Sequence, residues 1–250
     1  MKAMILAAGL GTRLRPLTKD RPKALVEVAG RTLLEITLTR LREFGIREVI
    51  LNVHHFADMV TQYLTANENF GMRIELSPEE TLLDTGGGLR KAAWFFLQDS
   101  KAPDEPFILH NVDVISDISL RCMMEAHQTG EALATLAVQH RASSRYLLFD
   151  QRLQLAGRRI ASGGETKEER VQSSSDAEPL AFSGIHMISL KIFDKMTETG
   201  VFSIIDSYLR LAATGEKIRA FMADDYYWRD LGKPENIDAA EEDLKQKRIQ

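Results

Sequence analysis

The residues with the most chemistry to offer stand near the amino terminus. An apolar run from Met4 to Ala8 breaks at Gly9-Leu10-Gly11-Thr12-Arg13, and a basic stretch follows that closes on Pro22-Lys23. From Arg13 to Lys23 there are five cations (Arg13, Arg15, Lys19, Arg21, Lys23) and one anion, Asp20, a local +4 in a chain of net charge −4. The run has the pattern of a buried first strand, and the glycines that of a turn bringing backbone close to a ligand. Backbone N–H groups with fixed positive charge beside them suit a polyphosphate. Two common glycine-rich phosphate sites do not match. A dinucleotide fingerprint needs glycine where Leu14 stands, and a Walker loop needs Gly-Lys-Ser/Thr after four spacers, which is absent.

Three further places carry candidate chemistry. Asp113 follows the apolar run Pro106–Asn111, where an aspartate serves either as a helix cap or turn former or as a site residue. Asp230 precedes Gly232-Lys233-Pro234 and has the same two readings. Gly86-Gly87-Gly88 stands before a helical pattern. Such a triplet is either a helix-entry loop, at high entropic cost, or a flat backbone surface for a base beside an anion-favouring helix terminus. His54-His55 ends a strand pattern and reads as structural hydrogen bonding. The six histidines form no HxH, HExxH or Cys/His spacing of the zinc kind.

The elements that must position these residues are legible as alternation. Strand patterns fall at 2–7, 47–53, 72–76, 106–111, 132–139, 145–149, 181–188, 218–222 and 226–231. Helical patterns fall at 31–44, 56–66, 88–98, 118–128, 203–213 and 234–247. Strands alternating with helices predict crossover units and a largely parallel sheet, with ligands outside the strands' carboxyl ends. Residues 145–150 and 153–156 suggest a hairpin, and the polar, aperiodic stretch over 157–179 reads as a mobile loop. With 250 residues and 44% hydrophobic content, one domain with a substantial core is expected over 1–250. The net charge of −4 speaks against a broad basic face for nucleic acid. The single cysteine, Cys122, excludes an intramolecular disulfide and sits in a helical pattern as a buried apolar residue. The N-terminal run is too short for a signal peptide, and no apolar run reaches 18 residues, so a cytoplasmic protein without a membrane partner is expected.

Taken together, Gly9-Leu10-Gly11-Thr12-Arg13-Leu14-Arg15-Pro16-Leu17-Thr18, closing on Pro22-Lys23, resembles the signature of the sugar-1-phosphate nucleotidyltransferase family. These enzymes make NDP-sugars from an NTP. The resemblance runs along nearly the whole chain. It implies an α/β fold: a single Rossmann-like three-layer sandwich with a mostly parallel mixed sheet and a sugar-side lobe. Residues 1–115 would form the nucleotide-binding half and 116–250 the sugar-binding half.

The implied reaction is in-line displacement at the α-phosphorus, with Mg²⁺ as cofactor. Asn111-Val112-Asp113 is similar to the family's metal-binding triplet, with valine in place of its small central residue. Tyr226–Glu235 is similar to the late motif that supplies the second carboxylate, Asp230. By the same resemblance, Arg13 holds the β,γ-phosphates and Lys23 sits between the reacting phosphates. Ala8, Gly9, Gly11, Thr12, Gly86 and Gly87 join them in nucleotide binding, and Asn111, Ser183, Gly184 and Glu178 face the sugar. The glycine triplet, Asn111 and Phe182-Ser183-Gly184-Ile185 look most like the N-acetylmuramate-1-phosphate uridylyltransferase branch, which implies UTP and a place in cell-wall recycling. GTP with mannose- or heptose-1-phosphate is the alternative, and a non-catalytic sugar-nucleotide sensor is the rival from another class. Asp176-Ala177-Glu178-Pro179 lacks the lysine of the Glu-Lys-Pro motif that other branches carry. A monomer or homodimer is expected.

Overall fold

Parallel strands need crossover connections, and the alternating patterns supply them. The structure, a computed structural model, describes residues 1–100, 102–172 and 176–246. Strand β1 (Ala3–Leu6) runs into the glycine loop, then a short hairpin of β2 (Glu27–Val28) and β3 (Arg31–Thr32). There follow α1 (Leu33–Glu43), β4 (Glu48–Val53), α2 (Ala57–Ala66), β5 (Arg73–Pro78), α3 (Asp84–Lys91), α4 (Ala93–Leu97) and β6 (Pro106–Asn111). Next come β7 (Val114–Ser116), α5 (Leu120–Thr129), β8 (Ala134–Gln139), β9 (Arg145–Phe149), β10 (Leu155–Ser162), β11 (Glu165–Arg170) and β12 (Glu178–Ser189). The last elements are α6 (Ile192–Lys195), α7 (Ile204–Ala213), β13 (Ile218–Met222), β14 (Trp228–Asp230) and α8 (Pro234–Lys245).

The central strands lie in the order β5-β4-β1-β6-β12-β8-β13, and only β12 runs against the rest. Side chains alternate across this sheet. Ala3, Ile5, Val49, Leu51 and Ile108 face a core built with α1, α2, α5 and α8. Met4, Ile50, Phe107 and Leu109 face a second core built with α3, α4, α6 and α7. Two helical layers on one sheet make the expected three-layer sandwich. Both strand faces are buried, so the central strands read as continuous apolar runs. Local signals set the helix starts. The Thr32 side chain accepts from the Glu35 N–H at 3.0 Å, Ser119 caps α5, and Pro234 occupies the first turn of α8. Among the described residues no helix is long and apolar enough to cross a membrane.

Three local expectations need correction. The stretch 157–179 is not one structureless loop: β10 and β11 pair antiparallel from Gly157↔Arg170 to Ser162↔Glu165. Gly163 and Gly164, with φ of 61° and 86°, make the two-residue turn between them. Every residue of β11 is exposed, so no period-two pattern marks it. Cross-strand pairs hold it instead, Arg159–Glu168 at 2.8 Å and Arg158–Glu169 at 2.8 Å. Residues 173–175 of this stretch lie outside the described residues. The helix expected over 88–98 is two helices broken at Ala92. Cys122 is exposed on α5 and not buried.

Candidate active site

The glycine loop leaves the carboxyl end of β1 and folds back on itself. Gly11 has φ +62°, and a Cβ there would meet Thr18 Cγ2 at 2.8 Å, so only glycine lets the two chain segments close. The Thr18 hydroxyl donates to the Gly11 carbonyl at 2.8 Å, and buried Leu14 anchors the turn Thr12–Leu14. A Cβ on Gly9 would meet no atom within 4 Å. Protein packing therefore does not demand glycine at position 9, and the space before it is open to a ligand. Lys23, held by the next turn, pairs with Asp113; both side chains are largely buried, at 12% and 17% exposure.

Asp113 and Asp230 are 117 residues apart in sequence, and one short ladder joins them. Strands β7 and β14 pair antiparallel with Asp230 opposite Val114. The Leu231 N–H donates to the Asp113 carbonyl at 2.8 Å. Gly232 N–H donates to the Asp230 carboxylate, and Asn236 donates to the Asp230 carbonyl at 2.7 Å, which fixes this strand end. A Cβ built on Gly232 would lie 2.6 Å from Asp230 Oδ1 and 3.0 Å from Arg13 Nη2, so both groups close on this glycine. Lys23 is thus the ion-pair partner of Asp113, and Arg13 shares the Gly232 turn with Asp230.

Behind the ladder, half-buried Arg40 donates to Ser116 Oγ at 2.7 Å and to the Ile118 carbonyl, and meets His110 Nε2 at 3.2 Å. Burial lowers Arg40 to about 10. Burial, then the Arg40 charge, pull His110 down to about 3, so its ring is neutral. A carbonyl can only accept, so His110 Nδ1 carries the proton toward Asn111 O at 2.8 Å. This network sets the backbone on which Asn111 and Asp113 stand.

Two cavities meet these residues. The first, about 480 Å³, is lined by Ala8, Gly9, Lys23, Asn52, Glu79, Leu82, Thr85, Asn111, Asp113 and Val201, among others. The second, about 450 Å³, is lined by Arg13, Arg141, Ala142, Trp228, Arg229, Asp230, Lys233 and Asn236. Both lie where crevices form outside the carboxyl ends of parallel strands. A larger hollow of about 1010 Å³ at the opposite strand ends, near Pro106, Leu133 and Ser189, contains none of the candidate residues.

The model of the nucleotidyl transferase family matches residues 2–247. The chain belongs to that family. It is 34% identical over 251 residues to the N-acetylmuramate alpha-1-phosphate uridylyltransferase of Caulobacter vibrioides, covering 96% of this chain and 95% of that protein. It is 28% identical over 245 residues to a mannose-1-phosphate guanyltransferase of Yarrowia lipolytica, covering 95% of this chain and 62% of that one. Among solved structures, HddC from Yersinia pseudotuberculosis complexed with GMP-PN superposes with a TM-score of 0.74 at 21% identity, covering 97% of this chain and 99% of that one. At that identity the likeness shows the fold.

In this nucleotidyl transferase the expected residues divide into groups. Ala8, Gly9, Lys23, Asn111 and Asp113 line the first cavity; Arg13 and Asp230 line the second. Gly11 and Thr12 shape the loop between them. Gly86 and Gly87 lie inside α3, buried, and line neither cavity. Their missing Cβ positions are filled by the Phe202 ring at 2.4 Å and the Gly200 carbonyl at 2.4 Å. The triplet therefore lets α3 close on the chain before α7, rather than opening a flat surface. Gly184, with φ +74°, lets Asn111 Nδ2 approach to 2.9 Å of where its Cβ would be. Ser183 is wholly buried, and its carbonyl accepts from Trp228 Nε1 at 2.7 Å. Glu178 is taken up by His140 Nε2 at 2.8 Å and lines neither cavity. Val112 is 3% exposed, packs into the core and contributes to the wall of the first cavity beside Asn111 and Asp113. His54 Nδ1 donates to the Glu79 carbonyl at 2.7 Å, the structural role its position suggested.

Sequence reasoning missed Asn52, Glu79, Arg141 and Trp228. Asn52 Oδ1 accepts from the Ala7 N–H at 2.7 Å, and its Nδ2 donates to Glu79 at 2.8 Å. Glu79 also accepts from the Leu83 N–H at 2.9 Å. The pair ties the ends of β1, β4 and β5 to the start of α3. A Cβ on Gly88 would lie 2.8 Å from Glu79 Oε1 and 2.9 Å from Asn52 Nδ2, which gives this third glycine a packing reason.

Proposed function

We propose that the protein joins an NTP to a sugar-1-phosphate, forming an NDP-sugar and pyrophosphate, with UTP and N-acetylmuramate-1-phosphate as its substrates. One observation carries the reading: Asp113, in the turn before β7, and Asp230, at the end of β14, are brought together by one ladder, Lys23 pairs with Asp113, Arg13 and Asp230 meet at Gly232, and each aspartate lines a cavity. Nucleotidyl transfer brings two anions together, and its catalysis is chiefly positioning and charge stabilisation. A phosphate oxygen of the sugar-1-phosphate attacks the α-phosphorus as the bond to the pyrophosphate oxygen breaks. No covalent enzyme intermediate is needed.

Asp113 and Asp230 would hold Mg²⁺. Two carboxylates fit an ion that takes one or two such ligands and completes its shell with phosphate oxygens and water. Among the described residues there is no group of three or more acidic, histidine or cysteine side chains that could cage a metal by itself. The ion supplies charge neutralisation on the reacting phosphates. Lys23 lies within reach of the α-phosphate as a point charge, and the Arg13 fork receives the departing pyrophosphate. The first cavity, drawn almost wholly from residues 1–115, takes the nucleotide; residues 116–250 take the sugar. The near full-length similarity to the Caulobacter enzyme supports the uridylyl reading. The protein works in the cytoplasm.

The second reading, GTP with mannose-1-phosphate, rests on the Yarrowia relative. The two are separated by steady-state kcat/KM for each pair. UTP with N-acetylmuramate-1-phosphate should win by about 10-fold or more, the range that pocket contacts deliver. A preference of that size for GTP with mannose-1-phosphate would exchange the two readings.

A further inference from the structure

We propose that Arg141 is the residue that binds the phosphate of the sugar-1-phosphate; the assignment rests on the nucleotidyl-transfer reading above. Arg141 hangs from the connection after β8, in the half that carries the sugar-side candidates. Its guanidinium carbon lies 3.6 Å from the centre of the Trp228 ring, a stacking contact. Trp228 is itself fixed, since its Nε1 donates to the Ser183 carbonyl at 2.7 Å. The guanidinium is thus held against a fixed ring.

Its N–H groups are under-used. One Nη2 donates to the Phe182 carbonyl at 2.6 Å, while Nε is buried and has no hydrogen-bond partner among the described residues. A buried cationic donor without a partner costs free energy unless something meets it. Two of the three other cations lining the second cavity have carboxylate partners. Arg229 is paired with Asp243, and Lys233 stands 3.8 Å from Glu235. Arg141 forms no ion pair among the described residues, although Asp230 is close enough to favour its charge against the burial that lowers it. A pre-oriented fork facing a cavity shared with Arg13 and Asp230 matches a phosphate dianion.

The sequence leaves room for such a residue. Ala177-Glu178 stands where other branches carry a lysine, and Glu178 is turned to His140. The positive charge missing from the start of β12 is supplied from the neighbouring β8 connection.

The test compares wild type with Arg141→Gln, Arg141→Lys and, as a distant charge-loss control, Arg158→Gln. Binding of UTP and of N-acetylmuramate-1-phosphate is measured by calorimetry with Mg²⁺, and KM for each by pyrophosphate release. Losing a charge-assisted hydrogen bond should weaken sugar-1-phosphate binding and raise its KM by about 10- to 100-fold. UTP binding should stay within about twofold of wild type, which also reports that the variant is folded. Arg141→Lys should recover part of the loss and Arg158→Gln should show none. Unchanged sugar-1-phosphate parameters in Arg141→Gln, or a loss confined to UTP or pyrophosphate, would overturn the assignment while leaving the functional reading in place. Wild type that binds both ligands without releasing pyrophosphate would overturn the functional reading, and Arg141 would then be judged by the binding ratio alone.

Discussion

Replacing Asn52 by leucine should loosen the protein and its nucleotide cavity together. Asn52 is 4% exposed and makes two hydrogen bonds, from Ala7 N–H at 2.7 Å and to Glu79 Oε1 at 2.8 Å. Leucine has similar volume and neither polar group. The Ala7 amide would be left unsatisfied, at about 1–3 kcal/mol, and Glu79 would lose one of its two donors, at about 1.5–3 kcal/mol. The sum is about 2.5–6 kcal/mol. For a chain of this size about 2–4 °C of Tm accompanies each kcal/mol, so Tm should fall by about 5–25 °C. Ala7 leads directly into Ala8 and Gly9, so KM for the NTP should rise while KM for the sugar-1-phosphate holds. Differential scanning fluorimetry and pyrophosphate-release kinetics read the two effects. Asn52→Asp offers a further check, because it sets two carboxylates side by side in a buried place. It should be the worse variant at pH 7 and should recover as acid protonates one of the pair. If Asn52→Leu melts within about 2 °C of wild type with an unchanged NTP KM, the ligature of strand ends inferred here is wrong.

Asp113→Asn and Asp230→Asn should each lower turnover by about 100-fold or more while leaving a cooperative melt, as expected when charge placed for the transition state is removed; near-normal rates in both would sink the metal assignment. Hydrogen bonds to Asp224 and then Glu178 raise the pKa of half-exposed His140 above its usual 6.5. The stability this contributes is fully present below pH 6.5 and is lost as pH rises through the raised value. Tm should therefore decline from pH 6 toward pH 8.5, and His140→Gln should flatten that slope; parallel profiles would show that His140 contributes no such stability. Gly163→Ala with Gly164→Ala forces side chains into positive φ, at about 1–2 kcal/mol each. Hydrogen exchange should then quicken across 155–170 with kcat unchanged, because the described residues of that hairpin line neither cavity.

The parts of the molecule readable from sequence were those with local, periodic signals. Apolar runs such as Met4–Ala8 and Pro106–Asn111 announced buried strands, and the helical patterns at 31–44, 118–128 and 203–213 announced α1, α5 and α7. The joining of Asp113 to Asp230 was legible only through a motif, since nothing in spacing reveals a ladder across 117 residues. The β10–β11 hairpin went unread because β11 is charged on both faces and held by ion pairs, though Gly163-Gly164 was the turn signal that could have exposed it. The glycine triplet misled for a related reason. Glycines read as loop by propensity, but here they sit in a helix because Phe202, Gly200, Glu79 and Asn52 press against its backbone. Asn52 and Arg141 carry no sequence pattern at all; each becomes visible only when its neighbours are counted.

The most direct measurement is pyrophosphate release from a matrix of NTPs and sugar-1-phosphates, each run with Mg²⁺ and with a chelator. Release is expected only when an NTP, a sugar-1-phosphate and the metal are all present, and is expected to be greatest for UTP with N-acetylmuramate-1-phosphate. Binding without release across the matrix, or release that ignores either the sugar-1-phosphate or the metal, would contradict the proposed function.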